Sequence, residues 1–126
     1  MKPEDAEGEK RFEYWKKERM AWYLDFGINK KHLKFSEHAE SDRAHYARAA
    51  FDIEYKLGSD WKEMEGIHHR GDWDLKRHEE YSGQDMHYFD DVTKEKFLPW
   101  EIETSAGVDR VALFFLVDAY EEEQLE

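Results

Sequence analysis

The stretch that most constrains the fold runs from Trp100 to Val117, WEIETSAGVDRVALFFLV. Its first part alternates, so in an extended strand Glu101 and Glu103 share one face while Trp100 and Ile102 take the other. Ser105 and Gly107 mark a sharp corner. The body that follows, Val-Ala-Leu-Phe-Phe-Leu-Val, is apolar nearly all round. A helix of that composition is expected to be buried against a sheet.

Upstream, Phe12, Trp15, Met20, Tyr23 and Leu24 recur at three- and four-residue steps between Lys and Glu, predicting an amphipathic helix from Arg11 to Phe26. Gly27 reads as its C-terminal stop. Residues 33–38 alternate as a short strand, and Ser41 is placed to cap a short helix reaching Ala50. Phe51–Leu57 and Trp61–His68 read as two strands joined by Gly58-Ser59-Asp60, a hairpin signal. Asp72 to Tyr81 predicts a helix closed by Ser82-Gly83. Met86–Phe89 reads as a short strand, 90–96 as a connector, Phe97–Thr104 as the last strand and Ala106–Glu122 as the last helix. Hairpins with helices on one face predict an α+β domain around an antiparallel sheet. Residues 1–10 are expected to form a frayed leader, with one domain over 11–126.

Aromatic residues make up 16% of the chain, enough for a core, and charged residues make up 40%. The formal net charge of −12 is the wrong sign for a piece that grips a phosphate backbone by itself. There is no cysteine, which excludes disulfides and Cys-based zinc sites. No apolar run approaches the roughly 20 residues of a membrane span. The composition reads as cytoplasmic.

Two segments carry candidate chemistry. Arg110 stands in the first turn of the last helix, where the macrodipole disfavours a cation. A guanidinium there suits an anionic ligand such as a phosphate; the alternative is an ion pair with Asp109 or Glu103. In the second hairpin strand, a simple period of two puts Trp61, Glu63, Glu65 and Ile67 on one face. Those carboxylates would either be solvated or be balanced by Arg70. His68, His69 and His78 match no zinc spacing, and adjacent histidines point to opposite faces of a strand.

Ile102-Glu-Thr-Ser-Ala-Gly-Val-Asp-Arg110, preceded by Pro99, resembles the third signature motif of the glycyl-tRNA synthetases, members of the class II synthetases. Glu63-Met-Glu-Gly-Ile-His-His-Arg-Gly-Asp-Trp-Asp-Leu75 is similar to that family's segment between its second and third motifs. The likeness extends to Ala44–Tyr55 and to the lead-in helix at Glu13, and covers roughly residues 11–122 in family order. It implies a partial class II catalytic fold. It also implies that Glu63 and Met64 contact ATP, the carboxylate of Glu63 through magnesium. Arg70, Glu103 and Ser105 would line a glycine pocket, and Gly107, Val108, Asp109 and Arg110 would form the ATP-contacting turn, with Arg110 catalytic. The implied reaction is activation of glycine by ATP to glycyl-adenylate, then transfer to tRNA(Gly), in a parent enzyme expected to be a homodimer.

The first and second motifs of the family have no counterpart here, and neither has its anticodon-binding domain. The resemblance therefore implies a fragment carrying one wall of the site, expected to be inactive alone and weak or absent in tRNA binding. A non-catalytic interaction module derived from a synthetase is the alternative.

Overall fold

The computed structural model describes residues 1–2, 4–39 and 48–124. In chain order these form α1 (Asp5–Asp25), a 3-10 turn (Lys30–His32), β1 (Leu33–Glu37), β2 (Ala49–Leu57), β3 (Asp60–Gly71), α2 (Trp73–Ser82), β4 (Tyr88–Phe89), β5 (Lys96–Phe97), β6 (Glu101–Ala106) and α3 (Val108–Ala119). The main sheet has the order β1-β2-β3-β6, antiparallel throughout, and β4 and β5 make a separate two-stranded ribbon. The architecture is α+β, as expected.

Helix α1 starts at Asp5, so residues 5–10, expected as a frayed leader, extend it by more than a turn. They hold because they are packed. Gly8 lies so close to His69 that a Cβ would sit 2.6 Å from its Nε2 and 3.2 Å from the Trp100 ring. Gly8→Ala should therefore destabilise the fold by about 1–3 kcal/mol, even though alanine is the better helix former by about 1 kcal/mol; a denaturant midpoint checks this. At the other end Gly27 adopts φ +98°. Its N–H donates to Leu24 O (3.0 Å) and that of Ile28 to Tyr23 O (3.1 Å), the paired bonds of a Schellman stop.

The hairpin between β2 and β3 closes at Leu57 opposite Asp60, with Gly58 at φ +63° in the turn. Both strands are longer than expected. Ala49 and Ala50, assigned above to a short helix from Ser41, belong to β2; the remainder of that helix lies outside the described residues. Residues 96–97 form β5 rather than connector and last strand, which begins only at Glu101.

Cross-strand partners share a face, so one side of the sheet carries Leu33, Phe35, Phe51, Ile53, Tyr55 and Ile67. Helices α1 and α3 cover this side, and the core joins Phe12, Tyr23, Ile28, Leu33, Ile53, Tyr55, Met64, Ile67 and Phe114. Tyr55 stacks on Phe114 with centroids 4.7 Å apart, and Asp118 pins the end of α3 by accepting from Tyr55 Oη (3.1 Å) and the Asn29 N–H (2.7 Å). The expectation of a wholly buried α3 is corrected. Phe114 is its one fully buried residue, while Val108 and Leu116 are 82% and 72% exposed.

His69 is buried on this side of the sheet. It packs edge-on against Trp100 at 5.4 Å and its Nδ1 accepts from the Gly71 N–H (3.2 Å). Burial, and after it the Arg48 guanidinium, holds its pKa below the ordinary histidine value. The folded state thus disfavours the charged ring. Stability is fully present above the unfolded pKa near 6.5 and is lost as pH falls toward the depressed folded value. Denaturation at pH 7 and pH 5 should show that loss, and His69→Phe should abolish its share.

Candidate active site

The other side of the sheet is polar, and it holds the candidates Arg70, Glu103 and Ser105. It carries Asp52, Glu54, Gly66, His68, Arg70, Glu101, Glu103 and Ser105, with His68 opposite Glu103 and Gly66 opposite Ser105. A β-bulge sets this arrangement. Ile53 pairs with Glu65 and Glu54 with Glu63, so Met64 is the extra residue. A bulge inserts one residue and breaks the period of two.

The consequence is that Glu63 and Glu65, expected on one face, are separated. Glu63 stays exposed, cross-strand to Glu54. Glu65 turns into the core, 1% exposed, and accepts from Arg19 Nε (2.6 Å), Arg19 Nη2 (3.0 Å) and the Tyr23 hydroxyl (2.6 Å). Its balancing cation is therefore Arg19 on α1, not Arg70. Burial, then the neighbouring carboxylate, raises the Tyr23 pKa, so the phenol remains a donor. Met64 also faces the core at 1% exposure, which keeps its side chain from a ligand.

Arg70 is committed to the acids around it. Its Nε and Nη2 grip Asp74 at 2.7 and 2.9 Å, and its Nη1 bonds to Glu103. This bidentate pairing holds Asp74 below the usual carboxylate range and raises the arginine further. Burial, and next the charge of Asp74, lifts Glu101 above that range. Asp74 went unnoticed in the sequence. Its signal was the four-residue spacing from Arg70, which the tight Gly71 (φ +64°) turns into a contact across the strand–helix corner.

Four residues of chain, about 13 Å at full extension, separate Glu103 from the corner at Gly107. There α3 begins, with no side chain capping its N-terminus. Arg110 reaches back across the corner and its Nη1 donates to the Glu63 carbonyl at 3.1 Å. Among the described residues it makes no ion pair, so the pairing with Asp109 or Glu103 is not formed. A groove of about 400 Å³ opens here between Lys62, Glu63, Asp109, Arg110, Leu113 and Phe114. Two clusters thus stand at the two ends of β6: a guanidinium beside helix N–H groups at the Gly107 corner, and an arginine–carboxylate cluster around Glu103.

The chain is 50% identical over 115 residues to a glycine–tRNA ligase of Clostridium acetobutylicum, covering 91% of this chain and 25% of that protein. This chain is homologous to a segment of glycyl-tRNA synthetase. The glycine–tRNA ligase of Treponema denticola is 49% identical over 115 residues (90% of this chain, 26% of the ligase). That of Treponema pallidum subsp. pallidum is 44% identical over 126 residues (96% and 27%). No protein-family model matches. The chain spans about a quarter of the length of these curated relatives. The sheet and its helices accordingly form part of a class II synthetase fold.

His68 and His69, adjacent in β3, lie on opposite faces of the sheet. His68 lies toward His38 (centroids 6.1 Å apart) and His69 toward Phe12 and Trp100. Among the described residues the group that could hold a metal is Glu79, Asp85 and His87, whose atoms are engaged with one another and with Lys96. No described helix is long and apolar enough to cross a membrane.

Proposed function

We propose that this synthetase segment forms one wall of the site at which a cytoplasmic, homodimeric glycine–tRNA ligase activates glycine with ATP before transfer to tRNA(Gly). The observation that carries the reading is Arg110, without an ion pair among the described residues, held against the Glu63 backbone beside the uncapped start of α3. The turn from Gly107 through Val108 and Asp109 offers N–H groups, and Arg110 offers a permanent cation; both suit the phosphates of ATP. Glu63, and Met64 beside it, would contact the nucleotide from β3.

Magnesium fits beside Glu63. Glu63 and Glu54 are cross-strand neighbours, and Lys34 answers only one of them, at 2.8 Å from Glu54. A cation accompanying the nucleotide would relieve the remaining charge and neutralise phosphate. Glycine would sit along β6, its ammonium on Glu103 and its carboxylate near Ser105. Arg70 acts there by fixing the Glu103 carboxylate rather than by holding the substrate, because Asp74 and Glu103 already take its donors. Ser105 stands opposite Gly66, over which the His68 ring lies, 2.8 Å from where a Cβ would stand. The chemical step asks for alignment and charge stabilisation at the α-phosphate, not for a protein nucleophile.

This chain by itself is expected to form no glycyl-tRNA. Titration with magnesium–ATP and then glycine, followed by amide NMR, tests the reading. Nucleotide should move residues 63–64 and 107–110, and glycine should move 103–105. Shifts scattered over the surface, or none at millimolar nucleotide, would assign the chain to a non-catalytic interaction role instead. Zinc should move neither group.

A further inference from the structure

The polar side of the sheet holds one ring that the reading above leaves without a task. His68 shares the face of Glu103 and Ser105: it stands opposite Glu103 in the ladder, and Gly66 stands opposite Ser105. Its imidazole leans back along β3 until Cε1 is 2.8 Å, and Nε2 3.5 Å, from where a Cβ of residue 66 would stand. Glycine at 66 gives the ring this place, because even one methyl group there would force it to move.

A neighbouring imidazole braces the ring. His38 meets it edge-on, with centroids 6.1 Å apart and planes at 85°. His38 Nε2 lies 2.7 Å from Asp52 Oδ2, and Asp52 is paired with Gly66 from β2. Hydrogen bonding does not explain the arrangement. The Nδ1 of His68 is buried and, among the described residues, has no hydrogen-bond partner. A buried polar atom left unsatisfied is costly, so what the fold keeps here is the volume of the ring rather than its polarity.

Register decides what that volume faces. Ladder partners are level with one another, so a ring lying between residues 68 and 66 of β3 is level with residues 103 to 105 of β6, one strand spacing of about 4.8 Å away. With a glycine ammonium on Glu103 and its carboxylate near Ser105, the α-carbon falls between the two, beside the imidazole. A substituent on that carbon directed across the sheet toward β2 would have to enter the space the ring fills. We propose that His68 is a specificity-determining residue, whose ring closes the site to L-alanine and L-serine and leaves it open to glycine. The proposal rests on the ligand reading above and adds to it the residue that reads the missing side chain. Gly66, His38 and Asp52 act through that ring, by giving it room and holding it in place.

The test follows the amide shifts of residues 103–105 with glycine and with L-alanine, each added after magnesium–ATP. It compares the unmodified chain with His68→Ala and His68→Phe. In the unmodified chain L-alanine should need a concentration on the order of 10- to 200-fold above that of glycine for half its effect, the range for one methyl group at a filled pocket. His68→Ala should remove most of that difference while the glycine midpoint hardly moves. His68→Phe keeps a ring, drops both nitrogens and should keep the difference. L-alanine that matches glycine in the unmodified chain overturns the proposal, and so does a difference that survives His68→Ala. Loss in His68→Phe as complete as in His68→Ala overturns it too, since the ring nitrogens would then carry the effect. These three results leave the glycine site itself standing. If glycine moves none of 103–105 in the unmodified chain, the site and the proposal fall together. Should His68→Ala not fold, as judged by its denaturant midpoint, His68→Ser carries the same comparison with the same outcomes.

Discussion

Arg19→Met is expected to lower the unfolding free energy by about 3–5 kcal/mol, the usual cost of leaving one member of a buried ion pair without its partner. Glu65 is 1% exposed and takes two of its three hydrogen bonds from the Arg19 guanidinium. Without that cation the carboxylate must either stay charged in the core or take up a proton. The double change Arg19→Met with Glu65→Leu should recover most of the loss, because a pair of apolar side chains satisfies the same space without desolvated charge. Chemical denaturation of the two singles and the double gives the coupling energy directly. Near-additive effects would show that the pair contributes little beyond packing. A related loss is expected in acid: Asp118 is held below the usual carboxylate range, since burial, which alone would raise it, is outweighed by its hydrogen bonds from His32, Asn29 and Tyr55. Its contribution is present above the unfolded pKa near 3.9 and disappears as pH falls through the lower folded value.

The second large effect concerns ligand rather than fold. Arg110→Ala should weaken magnesium–ATP binding on the order of 10- to 100-fold, the range of one charge-assisted hydrogen bond of about 1.5–3 kcal/mol. The side chain is exposed and, among the described residues, bonds to the Glu63 carbonyl alone, so the melting temperature should hardly move. Arg110→Lys should recover charge but not the planar fork, and lie between the two. The readout is the amide shift at 63–64 and 107–110. An Arg110→Ala chain that binds nucleotide as well as the parent chain would remove the nucleotide from this corner. Glycine-dependent exchange of pyrophosphate into ATP by this chain alone, abolished in Arg110→Ala, would show that one wall suffices for adenylate formation.

Much of the architecture is written locally. The 3.6-residue spacing of Phe12, Tyr23 and Leu24, the left-handed Gly27 and the turn at Gly58 act within a few residues, and the helix, its stop and the hairpin all fall where those signals place them. The corner at Gly107 and the start of α3 are equally legible, since a polar strand ending in small residues before an apolar run has few other readings. Boundaries drifted where packing intervenes. Residues 5–10 look polar enough to fray, yet Gly8 is seated against His69 and Trp100, a contact between positions sixty and more apart.

The Trp100–Val117 stretch shows the division most clearly. By itself the sequence determined that a polar strand turns sharply into an apolar helix with Arg110 in its first turn, because side-chain period and turn chemistry are properties of neighbours. Only the tertiary structure decided what those residues meet. The bulge at Met64 sends Glu65 to Arg19 and leaves Glu63 to Arg110, and no periodicity reveals a single inserted residue. The apolar surface of α3 and the open edge of β6 could not be read either. Composition states how much surface must be buried; which face finds a partner depends on how many strands stand beside it.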